Sequence, residues 1–202
     1  MIEAIVLAAG KGERYGAIKP LIQIEGEPAL SRILTTLRAA GIDDILVVLG
    51  HAAERIRREV DLGGVRVLVN PNYETGMGGS LSLGIRSLSP STKGFLILHA
   101  DMPYVSQVTL RAVLGRANAG ALIAAPIHRG RRGFPVYLHR SCCPGLLPTL
   151  HGEMGARGFI ASNHCDLILT EVDDPGCVWD IDRPEDLRNI EEKRRAAAIF
   201  KD

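Results

Sequence analysis

The 202-residue chain has no excess of either charge: 24 lysines and arginines stand against 23 aspartates and glutamates, a formal net charge of +1. That balance excludes bulk attraction to nucleic acid or to an anionic membrane, so any anion must be held by a few well-placed cations. Long hydrophobic runs are missing too. The N-terminal one lasts only from Ala4 to Ala9 behind the acidic Glu3, neither a secretory signal nor the roughly 18 apolar residues that cross a bilayer. The four cysteines, Cys142, Cys143, Cys165 and Cys177, form no CxxC pair. Adjacent Cys142 and Cys143 are poorly placed to bridge each other, so reduced thiols in a cytoplasmic protein are expected. No repeat, low-complexity tract or linker interrupts residues 1–202, which read as a single domain.

Two familiar phosphate loops are also absent. The glycines after the first apolar run are Gly10, Gly12 and Gly16, spaced GxGxxxG where a dinucleotide fingerprint needs GxGxxG. A P-loop needs GxxxxGK followed by Ser or Thr, but Gly16 precedes Ala17 and Lys19 precedes Pro20.

What is present is alternation of strand and helix. Apolar runs at Ile5–Leu7, Ile45–Leu49, Val65–Val69, Phe95–Leu98, Ala121–Ala125, Pro135–Leu138 and Leu167–Thr170 read as strands. Helical patterns fill Pro28–Ala40, Ala52–Val60, the stretch after Gly76, Gln107–Ala117 and the chain from Pro184. In the last helix Glu185 and Asp186 sit at the positive end, and Lys193, Arg194 and Arg195 are expected at the negative end. Nearly continuous apolar strands between helices predict a three-layer α/β/α domain with a mostly parallel, Rossmann-like sheet.

Ligands of such sheets bind at the carboxyl ends of strands, where "LAAGKGERYGAIKPL" (Leu7–Leu21) falls. A glycine-rich turn there offers backbone N–H groups to a triphosphate, and Arg14 and Lys19 can neutralise charge on a leaving group. The alternative is a simple β–α turn with two solvated cations. Asp101 ends an apolar strand in "FLILHADMP", and its alternative role is a turn cap. Asp180 and Asp182 precede the last helix in "VWDIDRPEDL", and Asp182 could equally cap that helix.

The first stretch resembles LAAGxxxRxGxxKxL, the signature of the nucleotide-diphospho-sugar transferase superfamily. "HADMP" is similar to its GDMP segment, with Ala100 for the glycine, and "DIDRPEDL" to its DIDTPEDL. "GMGGSLSLGI" from Gly76 resembles GMxxSLxxG. "GFPVYLHRSCCPGLLPTLHGEMGAR" (Gly133–Arg157) resembles the GxPxxF…LxxLxGDxGAR of the MobA-like molybdenum cofactor cytidylyltransferases, with Glu153 for aspartate. Tyr15 stands where that branch has methionine.

The resemblance implies transfer of CMP from CTP to molybdenum-bound molybdopterin, with release of pyrophosphate. Ala9, in LAAG rather than LAGG, points to cytidine over guanosine. It implies Mg²⁺, with Mn²⁺ as the alternative, held by Asp101 and Asp182, with Asp180 in reserve. Arg14, Lys19 and Asp101 are the implied catalytic residues. The nucleotide would lie on Leu7, Ala8, Ala9, Gly10, Lys11 and Gly12, and on Gly78, Gly79 and Ser80. The acceptor would lie on Gly133, Pro135, Gly152, Glu153 and Arg157. A molybdenum hydroxylase apoenzyme or its chaperone would be a further partner. The competing readings are another acceptor (a sugar 1-phosphate or a polyol phosphate), GTP as donor, and a non-catalytic nucleotide- or cofactor-binding protein.

Other residues invite chemistry without supporting it. His99, His128, His139, His151 and His164 have no zinc-ligand spacing. Neither Cys142 nor Cys143 has a motif partner for nucleophilic catalysis. Arg129, Arg131 and Arg132 in "HRGRRGFP" form either a solvated hairpin tip or an attractor for an anionic second substrate.

Overall fold

An unbroken apolar strand is stable only where both faces of its sheet are covered, and Ala4–Ala9 are all buried. The computed structural model describes residues 1–199. In chain order the elements are β1 (Ile2–Ala8), the hairpin strands β2 (Gln23–Ile24) and β3 (Glu27–Pro28), α1 (Ala29–Ala39), β4 (Ile45–Leu49), α2 (Ala53–Glu59), β5 (Arg66–Val69) and α3 (Met77–Arg86). There follow β6 (Gly94–His99), α4 (Gln107–Asn118), β7 (Ile123–His128), β8 (Arg131–Arg132), β9 (Val136–His139), α5 (Cys143–Leu146), α6 (Arg157–Ser162), β10 (Leu167–Glu171) and α7 (Pro184–Ile199).

The main sheet runs β10-β7-β9-β6-β1-β4-β5, with β8 paired to β7. β5, β4, β1 and β6 are parallel, β10 is parallel to β7, and β9 is antiparallel to both β6 and β7. The predicted mostly parallel sheet is therefore found, with β9 as the reversed strand inside it. Even positions of β1 (Ala4, Val6, Ala8) enter one core with Leu30, Leu34 and Leu37 of α1 and Leu110 of α4. Odd positions (Ile5, Leu7) enter a second core with Leu81 and Ile85 of α3 and Ile160 of α6. Each such side chain taken fully out of water contributes about 1.5–3 kcal/mol.

Two features depart from the sequence expectation. The hairpin of β2 and β3 lies in a stretch too short to show alternation. α7 continues through Ala196 to Ile199, so Lys193, Arg194 and Arg195 are not in its last turn. The run of alanines after Arg195 is the strongest helix former available and carries the helix on. Arg194 instead binds Glu25 at 3.2 Å and covers the Tyr104 ring at 4.7 Å, tying α7 to the hairpin. A third apolar cluster of Ile22, Ile24, Tyr104, Ile181 and Ile190 seals that joint.

None of the four cysteines is disulfide-bonded. Among the described residues no helix is long and apolar enough to cross a membrane.

Candidate active site

The chain runs outward from β1 to β4 and β5, then returns to the other side of β1 as β6. Ligands of open α/β sheets bind at such a switch point. Leu7 of β1 pairs in register with His99 of β6. The residues that leave the two strands, Ala9 onward and Ala100 onward, therefore emerge side by side.

After β1 the loop is pinned by backbone bonds from Tyr15 and Gly16 to the Gly12 carbonyl, both 3.0 Å. Gly12 has φ +66°, and a side chain there would overlap the Ala17 carbonyl oxygen, so glycine is required. Gly10 instead has open space where a Cβ would project, leaving its backbone approachable. The turn delivers Lys19 inward. Its Nζ donates to Asp101 Oδ2 at 3.0 Å and, more closely, to Asp182 Oδ1. Arg14 Nη1 donates to Asp182 Oδ2 at 3.2 Å from an exposed position.

Asp182 is 81 positions beyond Asp101, and two backbone features bring it in. The Ile181 amide donates to the Asp101 carbonyl at 2.9 Å, strapping the segment across the end of β6. Asp186 Oδ2 accepts from the amides of Asp182 at 3.0 Å and Arg183 at 2.7 Å. The start of α7 is thus capped by Asp186, and the Asp182 carboxylate faces the two cations. Asp180, the reserve ligand, is exposed on the preceding turn of chain.

Electrostatics match this geometry. Burial alone would lower the Lys19 pKa, but Asp101 and Asp182 outweigh it and raise it above the usual lysine value. The Lys19 hydrogen bond, aided by Arg14 and opposed by partial burial, holds Asp182 below the usual carboxylate range. Lys19 and Asp182 are therefore both charged at neutral pH.

A cavity of about 160 Å³ opens over this cluster, lined by Leu7, Ala8, Ala9, Gly10, Lys19, Asp101, Tyr73, Gly76, Met77, Ser80, His99 and Glu153 among others. Lys11 and Gly12, expected to hold the nucleotide, do not line it, and Lys11 is paired with Glu74 at 2.8 Å. The glycines of α3 have another use. A Cβ on Gly78 would stand 2.6 Å from the His151 amide nitrogen, and one on Gly76 2.5 Å from the Gly152 carbonyl carbon. They let α3 pack directly on the 150–153 backbone, and neither Gly78 nor Gly79 lines the cavity. Ser80 does line it, buried and accepting from Asn70 Nδ2 at 3.0 Å.

Through Leu7, Met77 and His99 the first cavity continues into a second of about 510 Å³. Its walls are mainly apolar: Leu81, Ile97, Phe134, Val136, Met154, Ile160, Leu167 and Leu169. Among the described residues the only charged side chains lining it are Arg132 and Arg157, with no carboxylate. Gly133 lines it too, packed so closely on Cys177 that a side chain would overlap the Cys177 carbonyl. Pro135 and Gly152 do not line it. Pro135 follows a cis peptide bond at the entry to β9, and Gly152 serves the α3 contact.

Sequence reasoning passed over His99 and Phe134, whose rings meet edge to face at 4.5 Å where the cavities join. Burial is the main force and lowers the His99 pKa; Asp101 opposes it, while Arg157 and Lys19 add to the lowering. The one available signal for His99 was its place two residues before Asp101 on a strand end. Of the basic loop, Arg132 reaches the second cavity, while Arg129 and Arg131 do not line it. Among the described residues no group of three or more His, Cys, Asp or Glu side chains could hold a metal by itself.

Residues 4–167 match the model of the MobA-like NTP transferase domain. Nicotine blue oxidoreductase of Paenarthrobacter nicotinovorans is 27% identical over 197 residues, 94% of this chain and 96% of that one. The bifunctional IPC transferase and DIPP synthase of Rubrobacter xylanophilus is 30% identical over 233 residues, 95% of this chain but 51% of that protein, so this chain spans about half its length. Among solved structures, Rv0371c from Mycobacterium tuberculosis H37Rv aligns with a TM-score of 0.83 at 30% identity, over 95% of this chain and 97% of that one. Its complex with manganese aligns at 0.80 and 27% identity, over 95% of this chain and 98% of that one. With four-fifths of its length inside the family model, the chain belongs to the MobA-like NTP transferase family and is an enzyme of the nucleotidyltransferase class.

Proposed function

We propose that the protein transfers CMP from CTP to a phosphate monoester of molybdopterin carrying molybdenum, with Mg²⁺ or Mn²⁺ held by Asp101 and Asp182. The observation that carries the transfer chemistry is the convergence of Lys19, Asp101 and Asp182 from three distant parts of the chain onto one point. Two hard carboxylates suit Mg²⁺ or Mn²⁺, which usually take one or two carboxylates and complete their shell with water and substrate phosphates. Manganese in the Rv0371c complex supports a divalent ion on this fold. Held by Asp101 and Asp182, the ion would supply charge neutralisation to the substrate's phosphates.

The chain's own residues do the rest. Backbone amides of the glycine-rich loop from Ala9 onward would face the triphosphate, and Lys11 would have to leave Glu74 to reach it. The acceptor's phosphate is largely ionised at neutral pH, its second pKa lying at about 6, so no side chain need remove a proton. Its oxygen attacks the α-phosphorus, a new P–O bond forms, the α–β bridging bond breaks, and pyrophosphate departs. Arg14 and Lys19 stabilise charge on that leaving side.

The second cavity supports the acceptor assignment. A flat ring system finds apolar walls there, with Arg132 and Arg157 for anionic groups.

Pyrophosphate release measured with each of the four ribonucleotides, with and without molybdenum-loaded molybdopterin, tests the reading. Release with CTP plus the cofactor alone is expected. Release with a polyol or sugar phosphate instead would move the acceptor. Redox turnover without pyrophosphate would replace the reading with the chemistry named for the Paenarthrobacter relative.

A further inference from the structure

A lysine meant for a triphosphate is here engaged elsewhere. The Lys19 ammonium lies between Asp101, at 3.0 Å, and Asp182, closer still, while Arg14 takes the other Asp182 oxygen at 3.2 Å. Two anions face two cations, so the cluster is already neutral. The Lys19 side chain is 16% exposed and that of Asp101 25%, so water screens this pair poorly.

We propose that Lys19 occupies the metal's place between Asp101 and Asp182 in the free protein, and yields it only when a nucleoside triphosphate arrives to receive the ammonium. The proposal rests on the reading that these two carboxylates hold the divalent ion. A divalent cation entering alone leaves two excess positive charges and turns the ammonium out into a cavity whose lining, besides Asp101, offers Glu153 as its carboxylate, too little to balance them. Entering with a triphosphate, it brings negative charge to which the displaced ammonium can turn. Metal and nucleotide therefore each raise the other's affinity, and couplings of this kind are about 5–150-fold.

Mn²⁺ binding followed by electron paramagnetic resonance tests this without turnover. Wild type, Lys19→Met, Lys19→Arg and Asp101→Asn are each titrated with and without a non-hydrolysable CTP analogue, circular dichroism reporting the fold. Wild type should bind Mn²⁺ alone weakly and gain about tenfold or more with the analogue. Lys19→Met should bind Mn²⁺ alone about tenfold more tightly, gain little from the analogue, and show a rise in Tm with Mn²⁺ alone that wild type lacks. Lys19→Arg should restore the dependence on the analogue. If Lys19→Met does not fold, Lys19→Gln takes its place. Unchanged or weaker Mn²⁺ binding in the neutral variant, with binding still lost in Asp101→Asn, overturns the proposal and leaves the metal site standing. Mn²⁺ binding that survives Asp101→Asn in every form removes the metal site, and the proposal with it.

Discussion

On one side of His99 the walls are backbone, small residues and charge. On the other they are aliphatic side chains, with two guanidiniums. The first cavity draws on the ends of β1 and β6 and the start of α3. The second draws on β1, α3, β6, the β8–β9 connection, α6 and β10. A triphosphate is the same in every nucleotide, so main-chain amides and a few charges at fixed spacing suffice for it. A second substrate must be told from its competitors, and that takes the shape of many side chains.

Substitutions can break this division, and the largest effect should come from the charged side. Asp101→Ala should cut pyrophosphate release on the order of 10³-fold, with an unchanged far-ultraviolet spectrum. Equal turnover would remove Asp101 from the reaction. On the apolar side, Arg157→Ala should raise the acceptor's KM roughly tenfold and leave that of CTP alone, measured by varying each substrate in turn. A matching rise in both would erase the distinction between the cavities.

The close packing of α3 on the 150–153 backbone can be tested by Gly78→Ala, whose methyl group would meet the His151 amide at 2.6 Å. Crowding of this kind destabilises by about 1–3 kcal/mol, read as a lower midpoint in urea at constant slope. Smallest should be Glu74→Gln, which frees Lys11 from an exposed ion pair. The KM for CTP should change less than about fivefold, and less again at high salt.

The two cavities were unequally legible in the sequence, for the same physical reason. Backbone recognition requires glycine and charge at set intervals, and these survive as the LAAG…R…K spacing. Leu7, Ala8, Ala9, Gly10, Lys19 and Asp101 indeed line one cavity. Spacing alone left Asp182 open as a helix cap; in the structure its carboxylate oxygens accept from Lys19 and Arg14, while Asp186 accepts from the amides of Asp182 and Arg183. The apolar cavity left no such trace. Met77, Phe134 and Leu169 are ordinary core-forming residues until a fold sets them around a space. Gly78, Gly79, Pro135 and Gly152 were legible as special positions, but their reason is close packing or the path of the chain. Seven of the main sheet's strands were readable as apolar runs, while β8, two exposed arginines, was not. Nor were the short hairpin and the reach of α7.

The strap from the Ile181 amide to the Asp101 carbonyl has a consequence for how the molecule comes into being. Chains are synthesised from the amino end, and domains fold as their residues emerge. A nascent chain halted at residue 167 would hold the whole family match, including the glycine-rich loop and Asp101, but only one of the paired carboxylates. Lys19 would have one partner rather than two. The segment from Ile181 to Asp186 completes the site, for only with it in place does Asp182 meet Lys19 and Arg14.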